Sequence, residues 1–544
     1  MTTYAMSASG RAGLRLGFAC GSARLDRYPA DLLMRLAAHT DWQPDTLIIA
    51  PDEHASSPGW LSRAVSVLGR RMLAAEHAML RRLPPGLAGL GWRANALRQG
   101  ETDVARLFAH VVQTAQRGAV AHPDTACGGS PALIITFERR TWARLRDQFA
   151  DAHWLLVEPC VPAATAGMAG FDAVSAGVDR TEFRIYLAEP GAGQPELLLA
   201  GGNRTKLLFS LNQAALWDRI GSSLQTLLKN GMPRPASAST VRSAHGNRPE
   251  PTPFADLARL LRYPLGAAMR VARIVLGRRQ WSVVIGEGDP LDPRARVLAH
   301  LQAGPGRFYA DPQLIRSPDG RLHCFVEEFD DALGRARIAV LAEQSDRSWR
   351  RLGVALEEPH HLSFPFLFHY QDELFMCPEA FTSNRITVYR CVEFPLRWEA
   401  ASVIMDDICA ADSMLIEHGG KWWLLTNVDN GLAPDHQAEL HVFHADSPLS
   451  TDWQPLAGNP VKVDPRGGRN GGYFVADDVL YRCGQCHSID AYGKGLMIHR
   501  VTGLDADQYR EEAVAELQIP AALRGFGTHT LSVCGRQFAI DMLR

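Results

Sequence analysis

The apolar positions change their period once along the chain. Between residues 14 and 229, short runs of consecutive apolar residues alternate with segments in which such residues recur at helical spacing. Residues 14–20, 46–50, 132–137, 154–157, 182–187 and 197–200 read as strands, and 28–38, 62–82, 104–116 and 211–229 as helices. Strands alternating with helices predict an α/β, Rossmann-like sheet for residues 1–231. From Trp281 onward the helical period vanishes and short strands with Gly or Asp turns take over.

Those strands repeat. The run Tyr309-Ala310-Asp311-Pro312 is echoed at Ser363-Phe364-Pro365, Ala411-Asp412-Ser413, Arg469-Asn470-Gly471 and Thr528-His529-Thr530, about 50 to 60 residues apart, a period typical of propeller blades. Five starts predict a five-bladed β-propeller over residues 281–544. Asp319-Gly320 and Gly419-Gly420 read as hairpin turns between paired strands. The last repeat is short of strands while residues 281–285 stand unpaired, so an N-terminal strand joining the last blade would close the ring. Residues 232–280 separate the two regions. They comprise a Pro-, Ser- and Arg-rich linker and a basic amphipathic helix, 254–279, that Pro264 should kink. Such a helix either lies on an anionic membrane surface, giving peripheral membrane contact, or bridges the two domains and exposes its Arg face.

Composition narrows the function. With 57 Lys plus Arg against 59 Asp plus Glu, the chain is near neutral, which argues against nucleic acid as a partner. No run approaches a membrane span, the first residues lack the charged and apolar regions of a signal peptide, and the Cys are scattered. The expected address is cytoplasmic, at the inner face of the membrane if the basic helix binds there. Cys483-Gly484-Gln485-Cys486-His487 has the spacing of a haem attachment motif, but it ends a strand and fits a structural pair or a rim turn better.

In a propeller the starts of the innermost strands converge on a central funnel. Asp311, Ser363, Asp412, Arg469 with Asn470, and His529 are the expected lining. Two carboxylates suit acid and base work at a glycosidic bond, and a deprotonated Asp311 suits activation of an acceptor hydroxyl. Arg469 suits a phosphate-bearing leaving group, and Phe364, Tyr473 and Trp422 offer stacking faces to a sugar. Glu327-Glu328 and Glu379 end second strands; Glu328 is expected to bind substrate and Glu379 to act as general acid. No metal cluster with ligand spacing is visible, and His360, His361 and His529 read as satisfied strand-end histidines.

The motifs Tyr309-Ala310-Asp311-Pro312, Val326-Glu327-Glu328-Phe329, His361-Leu362-Ser363-Phe364-Pro365-Phe366, Cys377-Pro378-Glu379-Ala380, Glu393-Phe394-Pro395-Leu396-Arg397-Trp398, Gly420-Lys421-Trp422-Trp423-Leu424 and Gly527-Thr528-His529-Thr530 carry a resemblance. They resemble the glycoside-hydrolase-family-43-like propeller of the glucosamine inositolphosphorylceramide transferase family, over roughly the last half of the chain. Bacterial relatives often join that propeller to a formyltransferase-like domain, which residues 1–231 resemble in element order only. The Asn-x-His and downstream Asp of such enzymes are missing, as is a G-x-G-x-x-G fingerprint, so the domain reads as degenerate. Family 43 hydrolases place an acid in each of the first three blades; Asp311 and Asp412 match two, and Ser363 departs from the pattern. The resemblance implies a carbohydrate-active protein. The leading expectation is a glycosyltransferase of surface-polysaccharide or glycolipid assembly that uses a nucleotide-sugar donor and requires no other cofactor. A glycoside hydrolase and a non-catalytic carbohydrate-binding scaffold are the alternatives.

Overall fold

A computed structural model describes residues 15–22, 24–39, 43–50, 59–80, 101–113, 131–159, 169–230, 253–276, 280–292, 294–429, 435–489, 491–517, 519, 523 and 525–544. They fall into two compact units, 1–274 and 275–544. The linker expected before residue 253 lies outside the described residues.

The first unit is built on a seven-stranded mixed sheet. Five parallel strands run in the order His110–Gln113, Gln43–Ile49, Arg15–Cys20, Leu133–Thr136 and His153–Glu158, and the antiparallel pair Arg180–Ala188 and Glu196–Arg204 extends them. Phe18, Ala19, Leu47, Ile48, Ile134, Ile135, Leu155 and Leu156 are all buried, as strands covered on both faces require. The helix expected over 104–116 is instead a single 3-10 turn, Ala105–Leu107, and the edge strand His110–Gln113; residues 114–116 lie outside the described residues. Pairing with Thr46–Ile49 recruits the β-branched Val111 and Val112 to the sheet, and that pairing overrides the helical spacing.

The helix Pro253–Leu276 runs through Pro264 rather than breaking there. Pro264 lies on the exposed side. The Tyr263 hydroxyl anchors the helix: it donates to Glu76 Oε1 and accepts the Phe209 N–H at 2.7 Å. Leu260, Tyr263 and Ala267 are buried, whereas Phe254, Leu261, Leu265 and Met269 are exposed. The exposed positions thus include these four apolar residues and Arg262. Among the described residues no helix is long and apolar enough to cross a membrane.

The second unit is a five-bladed propeller. Blade one comprises Arg307–Arg316, Leu322–Asp330, Arg335–Glu343 and Trp349–Leu356, and blade two Ser363–Tyr370, Glu373–Glu379, Arg385–Glu393 and Arg397–Asp406. Blade three has Ala410–His418, Lys421–Val428 and Glu439–Ala445, edged by the short Gln454–Pro455 and Lys462–Val463; blade four has Arg466–Ala476, Val479–Cys486, Gly495–Asp505 and Gln508–Leu517. In blade five the C-terminal hairpin Leu531–Cys534 and Gln537–Leu543 is completed by Trp281–Glu287 and Arg296–Leu301. The ring closes as expected, with two strands supplied from the N-terminal side. Gly419 and Gly420 both have positive φ, 60° and 76°, the conformation a tight hairpin turn needs. Cys483 and Cys486 are free thiols in a strand, pushed up by burial to about 12 and about 11.

Close approach of neighbouring inner strands makes a testable demand. Gly472, at φ 115°, would bring an added Cβ to 2.1 Å from the Leu531 carbonyl oxygen of blade five. Gly472→Ala is expected to destabilise the propeller by about 3 kcal/mol or more, through both crowding and backbone strain. Urea unfolding measures this, and an unchanged midpoint would contradict the packing described.

Candidate functional site

The inner strands of blades one to four each carry a bulge near the start, and the bulges build the site. The ladders skip between Ala310 and Gln313, Ser363 and Phe366, Ala411 and Met414, and Asn470 and Tyr473. Counting back from Leu531, which pairs with Ile540 as Gln313 pairs with Phe325, makes Asp311, Phe364, Asp412, Gly471 and His529 the equivalent residues. Asp311, Phe364 and Asp412 all sit at positive φ, 49°, 42° and 46°, a strained region for residues with side chains. Ser363 and Asn470 thus lie one residue short of the equivalent positions expected for them.

Two linked charge clusters result. In the first, the His529 ring lies between two carboxylates, with Nε2 3.1 Å from Asp311 Oδ1 and Nδ1 2.8 Å from Asp541 Oδ2. Asp311 also accepts from the Thr530 hydroxyl at 2.6 Å and the Phe364 N–H at 3.2 Å. Asp541 accepts the backbone N–H groups of His529 and Thr530 at 2.8 and 3.1 Å. Burial pushes the imidazole down, but Asp541 and Asp311 outweigh it and hold its pKa well above the usual value. Burial likewise raises Asp311, and the imidazolium overcomes that and holds it below the carboxylate range.

In the second cluster the buried Arg469 guanidinium joins two blades. Its Nε donates to Asp412 Oδ2 at 2.5 Å, and Nη2 donates to Glu379 Oε2 at 2.9 Å. Gln485 Nε2 donates to Asp412 Oδ2 at 2.7 Å. Glu379 is pushed well above the usual range, first by burial and then by the Asp412 charge, with Arg469 only partly compensating. One buried carboxyl, Glu379, is thereby shifted up and another, Asp311, down, the divergence that acid and base roles use.

Several expected residues lie elsewhere. Glu328 and Glu327 alternate across the strand, and Glu328 faces away into its own blade, where Arg351 donates to it at 2.8 and 2.7 Å and Arg337 at 3.2 Å. Glu327 is the register equivalent of Glu379, lies within the electrostatic reach of Asp311 and has its Oε1 3.3 Å from His361 Nε2. Trp422 pairs with Glu417 at the far end of its hairpin, about 16 Å along the strand from Asp412 at roughly 3.3 Å per residue. There it packs on Phe368 and Tyr370 and lines a shallow cavity with His369, Gln371 and Asp372. Phe364 belongs to the apolar core and offers no stacking face, and the partly buried Tyr473 packs against that core. Asn470 is a brace: its Nδ2 donates to the carbonyls of Asp412 and Leu425 at 2.9 and 3.0 Å, and its Oδ1 accepts from Arg482. Ser363 is buried and pairs across the ladder with Glu379, so blade two supplies its acid from the second strand.

The aromatic wall comes from residues that the repeat pattern did not single out. Tyr492 lies 5.6 Å from the Arg469 guanidinium and 5.2 Å from the His529 ring, and Trp281 meets His529 edge-on at 4.3 Å. Asp541 was legible as a lone charge in the apolar strand Gln537–Leu543, and Glu327 by aligning it with Glu379. Among the described residues, two sets of ligand-type side chains, Asp311-His529-Asp541 and Cys409-Asp429-His436, have their donor atoms within 4.8 Å of one another, although sequence spacing suggested neither. In the first, the imidazolium already supplies the positive charge.

The site predicts a pH dependence of stability. Glu379 has a raised folded-state pKa, so its contribution is full below about pH 4.5 and is lost as pH rises towards the raised value, at up to about 1.4 kcal/mol per unit. His529 acts in the same direction above its ordinary value, and Asp311 and Asp541 act only in acid. Between about pH 5 and 7, urea midpoints of the wild type are expected to fall more steeply than those of Glu379→Gln. Parallel profiles would show that Glu379 is not held protonated.

Residues 297–529 match the family model described as Glucosamine inositolphosphorylceramide transferase 1, N-terminal. The chain is 36% identical over 243 residues to glucosamine inositolphosphorylceramide transferase 1 of Arabidopsis thaliana, covering 44% of this chain and 31% of that protein. It is 34% identical to the protein of the same name from Oryza sativa subsp. japonica, over 41% of this chain and 30% of that one. The chain thus spans about a third of the length of these curated relatives. Among solved structures, Zg3597, a family 117 glycoside hydrolase of Zobellia galactanivorans, aligns with TM-score 0.32 and 12% identity over 49% of this chain and 90% of its own. The exo-beta-1,3-galactanase of Phanerochaete chrysosporium aligns with TM-score 0.33 and 12% identity over 40% of this chain and 53% of its own. At those scores the structural likeness carries no argument about activity. The propeller half of the chain is accordingly similar to the N-terminal domain of the glucosamine inositolphosphorylceramide transferase family, and the first unit lies outside that match.

Proposed function

We propose that this chain is a carbohydrate-active enzyme whose sugar site is the converging face of the propeller, and that it transfers a glycosyl group to an acceptor in surface-polysaccharide or glycolipid assembly. The observation that carries the reading is the convergence of two buried carboxyls in adjoining clusters, Asp311 against the His529 ring and Glu379 against Arg469 and Asp412. Asp311 would take the proton of the acceptor hydroxyl, and Glu379 would hydrogen-bond to or protonate the leaving group. Arg469 and Tyr492 would orient the sugar. The relatives' name points to a lipid acceptor, and a nucleotide sugar is the donor expected at a cytoplasmic address.

On this reading the first unit is a degenerate Rossmann-like domain that binds the donor or a partner, supported by its five parallel strands. The exposed stripe Phe254, Leu261, Leu265 and Met269 beside Arg262 supports contact with the inner face of an anionic membrane. The full chain is expected to float with anionic vesicles and not with neutral ones. Leu261→Asp with Leu265→Asp should abolish flotation, and its retention would remove the membrane from the proposal.

One observation favours a glycoside hydrolase as second reading: with Glu379 drawn in from blade two, each of the first three blades contributes a carboxyl group. Assays with nucleotide-sugar donors and lipid acceptors, run beside glycan hydrolysis assays, separate the two. Asp311→Asn and Glu379→Gln are expected to lower turnover about 100- to 10,000-fold while the propeller stays folded. Full activity in both variants would remove the funnel as the reaction site.

A further inference from the structure

Blade three holds a second constellation, distinct in chemistry from the carboxylate clusters. Cys409 immediately precedes the inner strand Ala410–His418, and Asp429 immediately follows the neighbouring strand Lys421–Val428. The Asp429 N–H donates to the Cys409 carbonyl at 2.9 Å, so the sheet fixes these two residues side by side. His436 arrives on the approach to the third strand, Glu439–Ala445, with its ring against Phe381 at a centroid separation of 5.3 Å. One blade thus sets a sulfur, a nitrogen and a carboxylate oxygen within 4.8 Å of one another.

The distances are those of a ligand set. A zinc ion with Zn–S of about 2.3 Å and Zn–N of about 2.0 Å at a tetrahedral angle holds those two atoms about 3.5 Å apart. Cys409 Sγ lies 3.4 Å from His436 Nε2. Thiolate, imidazole and carboxylate together select a borderline-soft ion over Ca2+ or Mg2+, which prefer oxygen alone. Three protein ligands leave a fourth position for water or a ligand oxygen.

We propose that Cys409, Asp429 and His436 bind one divalent transition metal ion of the Zn2+ class on blade three, next to the Arg469 cluster, with an open coordination position. Glu379 acts electrostatically on Cys409, and Arg469 and Asp412 act on His436, so the centre adjoins the carboxylates. The bound cation would draw together three strands of the blade and offer a Lewis-acidic contact to an oxygen of whatever occupies the site. This assignment is independent of the proposed glycosyl transfer.

The test uses the full chain, stripped of metal and titrated with Co2+. About one ion per chain should bind, with the near-ultraviolet charge-transfer absorption of a thiolate–Co2+ bond, and Zn2+ should displace it. Cys409→Ser should remove the band, and His436→Gln should weaken binding at least about tenfold. Cys391→Ser, a control thiol elsewhere in the propeller, should change neither. Urea midpoints of the metal-free proteins establish that each variant is folded; if Cys409→Ser is not, His436→Gln carries the test alone. Absence of the thiolate band in the wild type overturns the proposal, as does binding that His436→Gln leaves unchanged.

Discussion

The propeller depends on one buried cation, the His529 imidazolium between Asp311 and Asp541. Asp311 belongs to blade one, His529 and Asp541 to blade five, and Phe364 of blade two donates its N–H to the same Asp311 carboxylate. The ion triad therefore straddles the seam at which the ring closes. Charges this deeply buried are costly to desolvate, and removing one partner of such a pair typically costs about 3–5 kcal/mol because the other is left uncompensated. Thr530 and the backbone N–H groups of His529 and Thr530 take up further carboxylate lone pairs. The same field sets two opposite shifts: the imidazolium lowers Asp311 against the rise from burial, whereas burial and the neighbouring Asp412 charge raise Glu379 beyond what Arg469 offsets.

Backbone strain puts these groups where they are. A regular strand would alternate its side chains between the two faces of the blade. The bulges turn the chain at Asp311, Phe364 and Asp412 into the left-handed region and re-aim the side chains around them. The outcome differs between blades because the residue differs. In blades one and three the turned residue is a carboxylate; in blade two it is Phe364, which the apolar core absorbs. Blade two then contributes through Glu379 on the neighbouring strand, across the ladder from Ser363.

Much of this was legible before any coordinates. The change of period near Trp281 marked the propeller, the short last repeat implied ring closure from the N-terminal side, Asp311, Asp412, Arg469 and His529 came from the repeat, and Glu379 from its place at the end of a second strand. Glu328 was misplaced because two adjacent glutamates leave the face undecided until cross-strand neighbours are known; Arg337 and Arg351 claim it. Trp422 was misplaced because a second strand runs back from the hairpin turn, so its start lies far from the inner strand's start. The edge strand His110–Gln113 shows the same dependence in the first unit, where sheet pairing outweighed local spacing.

The sequence by itself determined the architecture of the propeller and the chemical character of its convergent residues, since periodicity and repeat length are local properties of a chain. Tertiary structure alone decided which carboxyl is shifted up and which down, which polar residues brace rather than face the site, and that Cys409, Asp429 and His436 meet. Those outcomes depend on burial and on charges contributed by other blades, and the strengths of both fall so steeply with distance that spacing along the chain cannot supply them.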